Sequence, residues 1–169
     1  DGAKGYLSLD FNQVGTNFPV IKDIQKHIID TGKTQTPKDK VGENFYNRGV
    51  LNSIIIAEAI RNAQKITGKK VINGEDMRRG LETLNITEAR LKEIGAEGFA
   101  APMKVACEDH NGHNSAYMAK WDGTKWTQGS DWIAPLKTKV RPLIESAAKD
   151  YSTANAGWPK RTEPCDKSS

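Results

Sequence analysis

Short alternating stretches and longer helical repeats of apolar residues follow each other along this chain. Residues 5–11 alternate apolar and polar side chains, as a half-buried strand does. After Pro19, which suits the first turn of a helix, apolar residues recur at helical spacing until Gly32. The pattern predicts a strand followed by an amphipathic helix of about thirteen residues.

The most apolar segment, residues 51–63, predicts a helix that has only a narrow polar face. Such a helix packs against a sheet or between other elements, and Gly68 marks its end. Two shorter helices are predicted downstream. The first is capped by Asn73 with Asp76 at its third position, and the second opens after Thr87.

The second half of the chain predicts strands, a hairpin and one final helix. Residues 102–107 and 115–121 have strand patterns, and residues 122–123, Asp-Gly, are a strong hairpin-turn signal. Residues 108–114 are predicted to be a polar turn, and residues 140–151 to be a helix. The apolar residues of that helix that we expect to face inward are Leu143, Ile144 and Ala147.

Helices outnumber strands in this prediction, and the strands cannot cover the apolar faces of the helices. We therefore expect an α/β protein in which this chain is one lobe or a fragment of a larger molecule. The chain begins at Asp1 without an initiator Met. We also expect, for that reason, that an upstream segment such as a signal peptide has been removed.

Composition narrows the functional classes. The 169 residues suit one domain, and a hydrophobic fraction of 37% with 27% charged residues is typical of a soluble globular protein. The net charge of +4 comes from Lys and Arg scattered among acids. Because no basic stripe with interleaved aromatic residues is present, nucleic-acid binding is not expected. No apolar run is long enough to span a bilayer.

The two cysteines, Cys107 and Cys165, indicate an oxidising compartment if they are bonded to each other. Cys165 lies in a polar tail beside Pro164, where burial of a free thiol is not expected. A bond between them would close a loop of about 59 residues and stabilise the fold by about 4 kcal/mol. Two free buried thiols are the alternative.

Residues 45–50, Phe-Tyr-Asn-Arg-Gly-Val, bring together groups that can hold a small organic ligand. Aromatic rings stack, an amide both donates and accepts, and a guanidinium binds a carboxylate through two parallel hydrogen bonds. They directly precede the predicted apolar helix, and open α/β sheets place ligands near such helix starts. The segment predicts the rim of a small-molecule cleft. The alternative is an Arg paired with a nearby acid and an Asn capping the helix.

The sequence does not predict a catalytic centre. A metal-dependent hydrolase that uses the region of His110 and His113 is one alternative, but a third firm metal ligand is missing. Neither a nucleophile elbow nor a glycine-rich phosphate loop is present. We therefore expect no enzyme activity, no cofactor and no metal.

Four segments, taken in order, resemble a known family. They are residues 5–19, residues 45–60 (FYNRGVLNSIIIAEAI), residues 76–82 (DMRRGLE) and residues 104–126, which end in WDGTKW. The order of these segments along the chain is similar to that in the carboxy-terminal part of solute-binding proteins of ATP-binding-cassette (ABC) transporters. Within that family, the chain most resembles the type I periplasmic binding proteins of the leucine/isoleucine/valine-binding group.

The resemblance implies a fold and a domain division. The chain would be the carboxy-terminal lobe of a two-lobed α/β binding protein, with a late β-hairpin and a C-terminal helix. Residues 1–133 would belong to the ligand-binding domain, and residues 134–169 would form a C-terminal helix and a tail tied back by the disulfide.

The resemblance also implies a function and a set of contacts. The protein would be periplasmic or otherwise extracytoplasmic, and its partners would be a small solute, the missing amino-terminal lobe and a membrane permease. The solute would be a branched-chain or aromatic amino acid, an aromatic acid or an amide. A ligand-sensing domain of a receptor or regulator shares this fold and is a further alternative. The implied ligand-binding residues are Phe11, Asn12, Phe45, Tyr46, Asn47 and Arg48.

Overall fold

The fold is taken from a computed structural model. It describes residues 2–159 and residue 165, apart from the side chains of His113 and Asn114. The strands are β1 (Leu7–Asp10), β2 (Asn85–Ile86), β3 (Met103–Ala106), β4 (Asp109–Asn114), β5 (Tyr117–Trp121) and β6 (Trp126–Gln128). The helices are α1 (Pro19–Ile24), which continues as a π-helical turn (Gln25–Ile29), α2 (Asn44–Thr67), α3 (Gly74–Glu82), α4 (Glu88–Glu93) and α5 (Lys137–Ala154).

The strands form two small antiparallel sheets. The first has the order β1-β5-β6, and the second has the order β2-β3-β4. The chain leaves the first sheet after β1, builds α1 to α4 and the second sheet, and returns to the first sheet with β5. The expected fold class, α/β with a late β-hairpin and a C-terminal helix, is confirmed.

The hydrophobic core lies between the helices and the second sheet. It is built from side chains of α1, α2, α4 and β2, together with the segment between α4 and β3. Its largest buried members are Ile21, Leu51, Leu84, Ile86, Leu91 and Phe99. This core fixes α2, and α2 carries most of the residues that the sequence nominates for binding.

Several local predictions are confirmed because a cap or a turn specifies them. Pro19 occupies the first turn of α1, and Gly68 ends α2 with a positive φ of 70°. Asn73 and Asp76 form the reciprocal capping box of α3, and the Thr87 side chain accepts a bond from the α4 backbone.

The predicted start of the apolar helix is wrong. The helix α2 begins at Asn44, so residues 45–50 form its first turns rather than a segment in front of it. Glu43 precedes the helix without a capping side-chain bond, so the sequence carries no start signal there. The candidate binding residues of this segment therefore project in different directions around a helix.

The predicted polar turn at residues 108–114 is also wrong. Residues Asp109–Asn114 form β4, and the turn lies at Cys107 and Glu108. Gly112 uses its positive φ of 63° inside the strand, where a Cβ would lie 2.5 Å from the carbonyl oxygen of Lys104. The Asn-Gly signal marks an irregular strand pair here, since the β3–β4 register shifts beside this position.

The inward direction predicted for the last helix is wrong as well. In α5 no residue is buried, and Leu143 is 70% exposed. The helix is fastened to β4 by charged groups instead. Lys137 and Arg141 pair with Asp109, and the Arg141 Nη2 donates to the carbonyl of Glu108 at 2.7 Å.

Candidate functional site

The six nominated ligand-binding residues fall into two groups around the start of α2. Phe11, Asn12, Asn47 and Arg48 lie at the junction between the first sheet and α2, and Phe45 and Tyr46 line a groove along α2. The first group, together with Asp10, Asn44 and Tyr117, is called the junction cluster below. The structure does not bring the six residues into one patch.

Arg48 is the centre of the junction cluster. Its Nε donates to the side-chain oxygen of Asn12, and its Nη2 lies 3.3 Å from a carboxylate oxygen of Asp10. The guanidinium also lies over the ring of Phe11, 5.2 Å from the ring centroid, as in a cation–π contact. The side chain of Arg48 is 34% exposed, whereas that of Asp10 is 7% exposed. Arg48 therefore has a buried acid behind it and an accessible edge in front.

Asn44, the first residue of α2, holds the carboxylate of Asp10 from the other side. Its amide nitrogen donates to both carboxylate oxygens, at 3.0 and 3.2 Å, and its amide oxygen accepts from Asn12 at 3.3 Å. A buried charge needs such partners, because it has lost its hydration. The charge of Asp10 at the end of β1 is thus balanced by Arg48, and its oxygens accept hydrogen bonds from Asn44, both in the first turns of α2.

Asn47 fixes the loop that follows β1. Its buried amide nitrogen donates to the carbonyls of Gln13 and Gly15, at 2.9 and 3.0 Å. Among the described residues, its buried amide oxygen has no hydrogen-bond partner. An unsatisfied buried acceptor destabilises the folded state, and the two hydrogen bonds from the amide nitrogen to the loop offset this cost.

Tyr117 brings β5 into the cluster. Its buried hydroxyl donates to the backbone carbonyl of Asn12 at 3.0 Å. Burial, together with the nearby negative charge of Asp10, raises the pKa of Tyr117 to about 12. The phenol is therefore a neutral donor at physiological pH. Trp132 packs edge-on against its ring, with the two centroids 5.0 Å apart.

Phe45 and Tyr46 face a different environment. They line an open groove of about 650 Å³ along α1, α2 and α4, and Phe45 is 90% exposed. Glu58 lies in the same groove and accepts two bonds from Arg90, at 2.8 and 2.9 Å. Those bonds hold the pKa of Glu58 below its usual range. The groove is therefore mainly apolar, and its acid is already paired.

In the described part of the chain, no group of three side chains that could hold a metal ion occurs. The His110 Nε2 lies 3.1 Å from Oε1 of Glu82, and Oε2 of the same carboxylate accepts from Arg78 at 2.7 Å. The side chain of His113, the other residue of the hydrolase alternative, lies outside the described residues.

The disulfide between Cys107 and Cys165 is present.

Sequence reasoning missed Asp10, Asn44 and Tyr117. For Asp10 a signal was available, because this acid ends a strand directly before two nominated residues, Phe11 and Asn12. Asn44 and Tyr117 give no such signal, because they are 32 and 105 residues from Asn12, the residue that they bond.

Solved structures show what the chain is similar to. One is a crystal structure described as an ABC transporter permease from the Pseudomonas fluorescens group, with a TM-score of 0.87 and 40% identity over 95% of this chain. Another is described as a branched-chain amino acid ABC transporter from Thermus thermophilus with bound valine. Its TM-score is 0.58, with 19% identity over 80% of this chain. No family model and no curated protein matches the chain.

Both solved proteins are much longer than this chain, which covers 39% of the first and 35% of the second. The chain therefore shares the fold of one part of each of these two solved proteins. In the described residues, no helix combines the length and the apolar character needed to cross a membrane. The division at residues 133 and 134 stays a prediction.

Proposed function

We propose that this chain is the carboxy-terminal part of an extracytoplasmic solute-binding receptor of an ABC importer, of the leucine/isoleucine/valine-binding kind. The receptor captures a small organic solute, an amino acid, an amide or an aromatic acid, in a cleft between two lobes. It then delivers the solute to a membrane permease. The missing amino-terminal lobe supplies the other wall of the cleft, and no bond of the solute is broken.

The observation that carries this proposal is the pair of structural matches to ABC transporter proteins. The match with 40% identity supports a role in such a transporter. The neighbour with bound valine has the same fold, and it supports capture of a small solute as the specific role.

The junction cluster supports a binding role for Arg48. A guanidinium that is one-third exposed, held over an aromatic ring and anchored by Asn12, is oriented before any solute arrives. Orientation in advance reduces the entropy that binding must overcome. The cluster also joins the end of β1, the start of α2 and the start of β5 by side-chain hydrogen bonds, which limit its movement.

The disulfide supports an extracytoplasmic location. Cys107 and Cys165 are bonded to each other, and disulfides persist mainly in the periplasm and outside the cell.

Isothermal titration of the full-length polypeptide with amino acids, amides and aromatic acids tests the proposal. We expect saturable binding of one solute class, with the solute recovered unchanged. Replacing Arg48 by Ala should weaken binding at least tenfold, about 1.4 kcal/mol, because the anchored donor is lost. Lys65→Ala is the control, since it removes an exposed positive charge from the last turn of the same helix.

Two outcomes would contradict the proposal. Failure of the full-length protein to bind any solute of these classes would remove the receptor function. Conversion of a solute to a product, abolished by a chelator and by His110→Ala, would favour the hydrolase alternative.

Unchanged affinity in Arg48→Ala would remove Arg48 from the site and leave the groove at Phe45 and Tyr46 as the candidate surface.

A further inference from the structure

We propose that Asp10 is a specificity residue that makes the junction cluster select solutes without net negative charge. This inference rests on the proposed function and narrows its solute class. Under it, an amide or a zwitterionic amino acid binds in preference to the matching carboxylic acid anion. Asp10 acts by cancelling the charge of Arg48, the group that would otherwise attract an anion.

The first step of the argument is the hydrogen-bonding capacity of Arg48. A guanidinium has five N–H donors, and the cluster uses the one on Nε and one on Nη2. The side chain is one-third exposed, so donors remain for a solute oxygen at the accessible edge. Arg48 can therefore bind a carbonyl or carboxylate oxygen without leaving Asn12 or Asp10.

The second step is the charge balance. Among the described residues, the cluster contains one acid, Asp10, and one base, Arg48, and its other polar members are neutral. Tyr117 keeps its proton at physiological pH, because burial raises its pKa to about 12. The neighbouring acid Glu43 is paired with Lys40 outside the cluster. The Arg48–Asp10 pair as a whole thus carries no net charge, and its accessible edge presents N–H donors.

The third step is the environment of Asp10. Its side chain is 7% exposed, and it accepts from Asn44 and Arg48 inside the protein. Charges near such a buried group are weakly screened, so a solute carboxylate on Arg48 is repelled by the carboxylate behind it. A neutral amide oxygen avoids this repulsion. A zwitterion offsets it, because its ammonium group is attracted by the same acid.

Matched pairs of probes that differ by one charge test this inference: benzamide with benzoate, and isovaleramide with isovalerate. Isothermal titration of the full-length polypeptide should show at least tenfold tighter binding of the amide in the pair that fits. Asp10→Asn should reduce this ratio at least tenfold, because the shape is kept while the charge is removed. Asp39→Asn, which removes an exposed acid from the short 3-10 turn Lys38–Lys40 outside the cluster, should leave the ratio unchanged.

A second variant tests the charge balance from the other side of the pair, and circular dichroism of both variants checks that the fold is kept. Arg48→Gln removes the positive charge and leaves Asp10 in place, so the preference for the amide should increase. A ratio that neither variant changes overturns the inference, and so does a wild-type protein that binds the anion as tightly as the amide. In both cases binding itself remains, and the proposed function survives. Absence of binding to all four probes and to amino acids would remove both.

Discussion

A methyl group added at Gly80 should destabilise the fold, because α3 crosses α2 at this residue with no space for a side chain. A Cβ built on Gly80 lies 2.2 Å from the carbonyl oxygen of Ala59, 2.9 Å from the Cβ of Ala63 and 3.0 Å from its backbone nitrogen. Two of these three atoms are backbone atoms of a 24-residue helix, which cannot rotate away as a side chain can. Gly80→Ala therefore requires α2 and α3 to move apart.

The expected loss follows from two opposing effects. Overpacking of a well-packed contact costs about 1–3 kcal/mol, and a contact with backbone lies at the upper end of that range. Replacing Gly by Ala inside a helix returns up to about 1 kcal/mol through backbone entropy. The net decrease in the free energy of unfolding should be about 2 kcal/mol. For a chain of this size that corresponds to a decrease of about 4–8 °C in Tm.

Urea unfolding followed by far-ultraviolet circular dichroism measures this change directly. With a typical slope, the midpoint should fall by about 1 M. Gly49→Ala is the matched control. Gly49 also lies inside a helix, but nothing lies within 4 Å of a Cβ built on it, so this variant should be stabilised by about 0.5–1 kcal/mol. A Gly80→Ala protein as stable as wild type, with unchanged slope, would refute the close approach of α2 and α3.

Two further predictions concern stability. Reduction of the Cys107–Cys165 bond, which joins residues 58 apart, should lower the free energy of unfolding by about 4 kcal/mol. The urea midpoint with and without reductant measures this, and an unchanged midpoint would contradict it. Arg90 holds the pKa of Glu58 below its usual value of 4.5, so the folded state binds fewer protons than the unfolded state, and stability rises with pH there. The contribution should be present above that value and lost as pH falls below it. Unfolding midpoints of Arg90→Gln between about pH 6 and 3 should show a weaker decrease than wild type, and an equal decrease would contradict the pairing.

The elements that could be predicted from the sequence are those with a local signal at their ends. Pro19 starts α1, the Asn73–Asp76 capping box starts α3, and Thr87 starts α4. The side chains of Asn73 and Thr87 cap backbone N–H groups three residues away, and Pro19 fixes its own φ, so a short window of sequence contains each signal. The Asp122-Gly123 turn is predicted for the same reason, since it joins two short neighbouring strands.

The elements that were predicted wrongly depend on partners that are distant in the sequence. The first turns of α2 have no capping side chain, and their residues are held by β1 and the loop after it. The strand β4 exists because β3 pairs with it across a tight turn, although its own sequence is polar and contains an Asn-Gly pair. Apolar spacing in α5 predicts a buried face, but the helix is attached by Asp109 through ion pairs.

The chemistry of the candidate site also depends on contacts between residues that are distant in the sequence. A sequence can nominate Arg48 as a donor, because the residue type and its aromatic neighbours are visible in one segment. It cannot give the charge of the site, since that depends on Asp10, an acid 38 residues away that reaches Arg48 only through the fold. In the fold, the charge of the guanidinium is balanced by the buried carboxylate of Asp10, which lies 3.3 Å from its Nη2. The charge that the candidate site presents is therefore a property of the tertiary contact between β1 and α2.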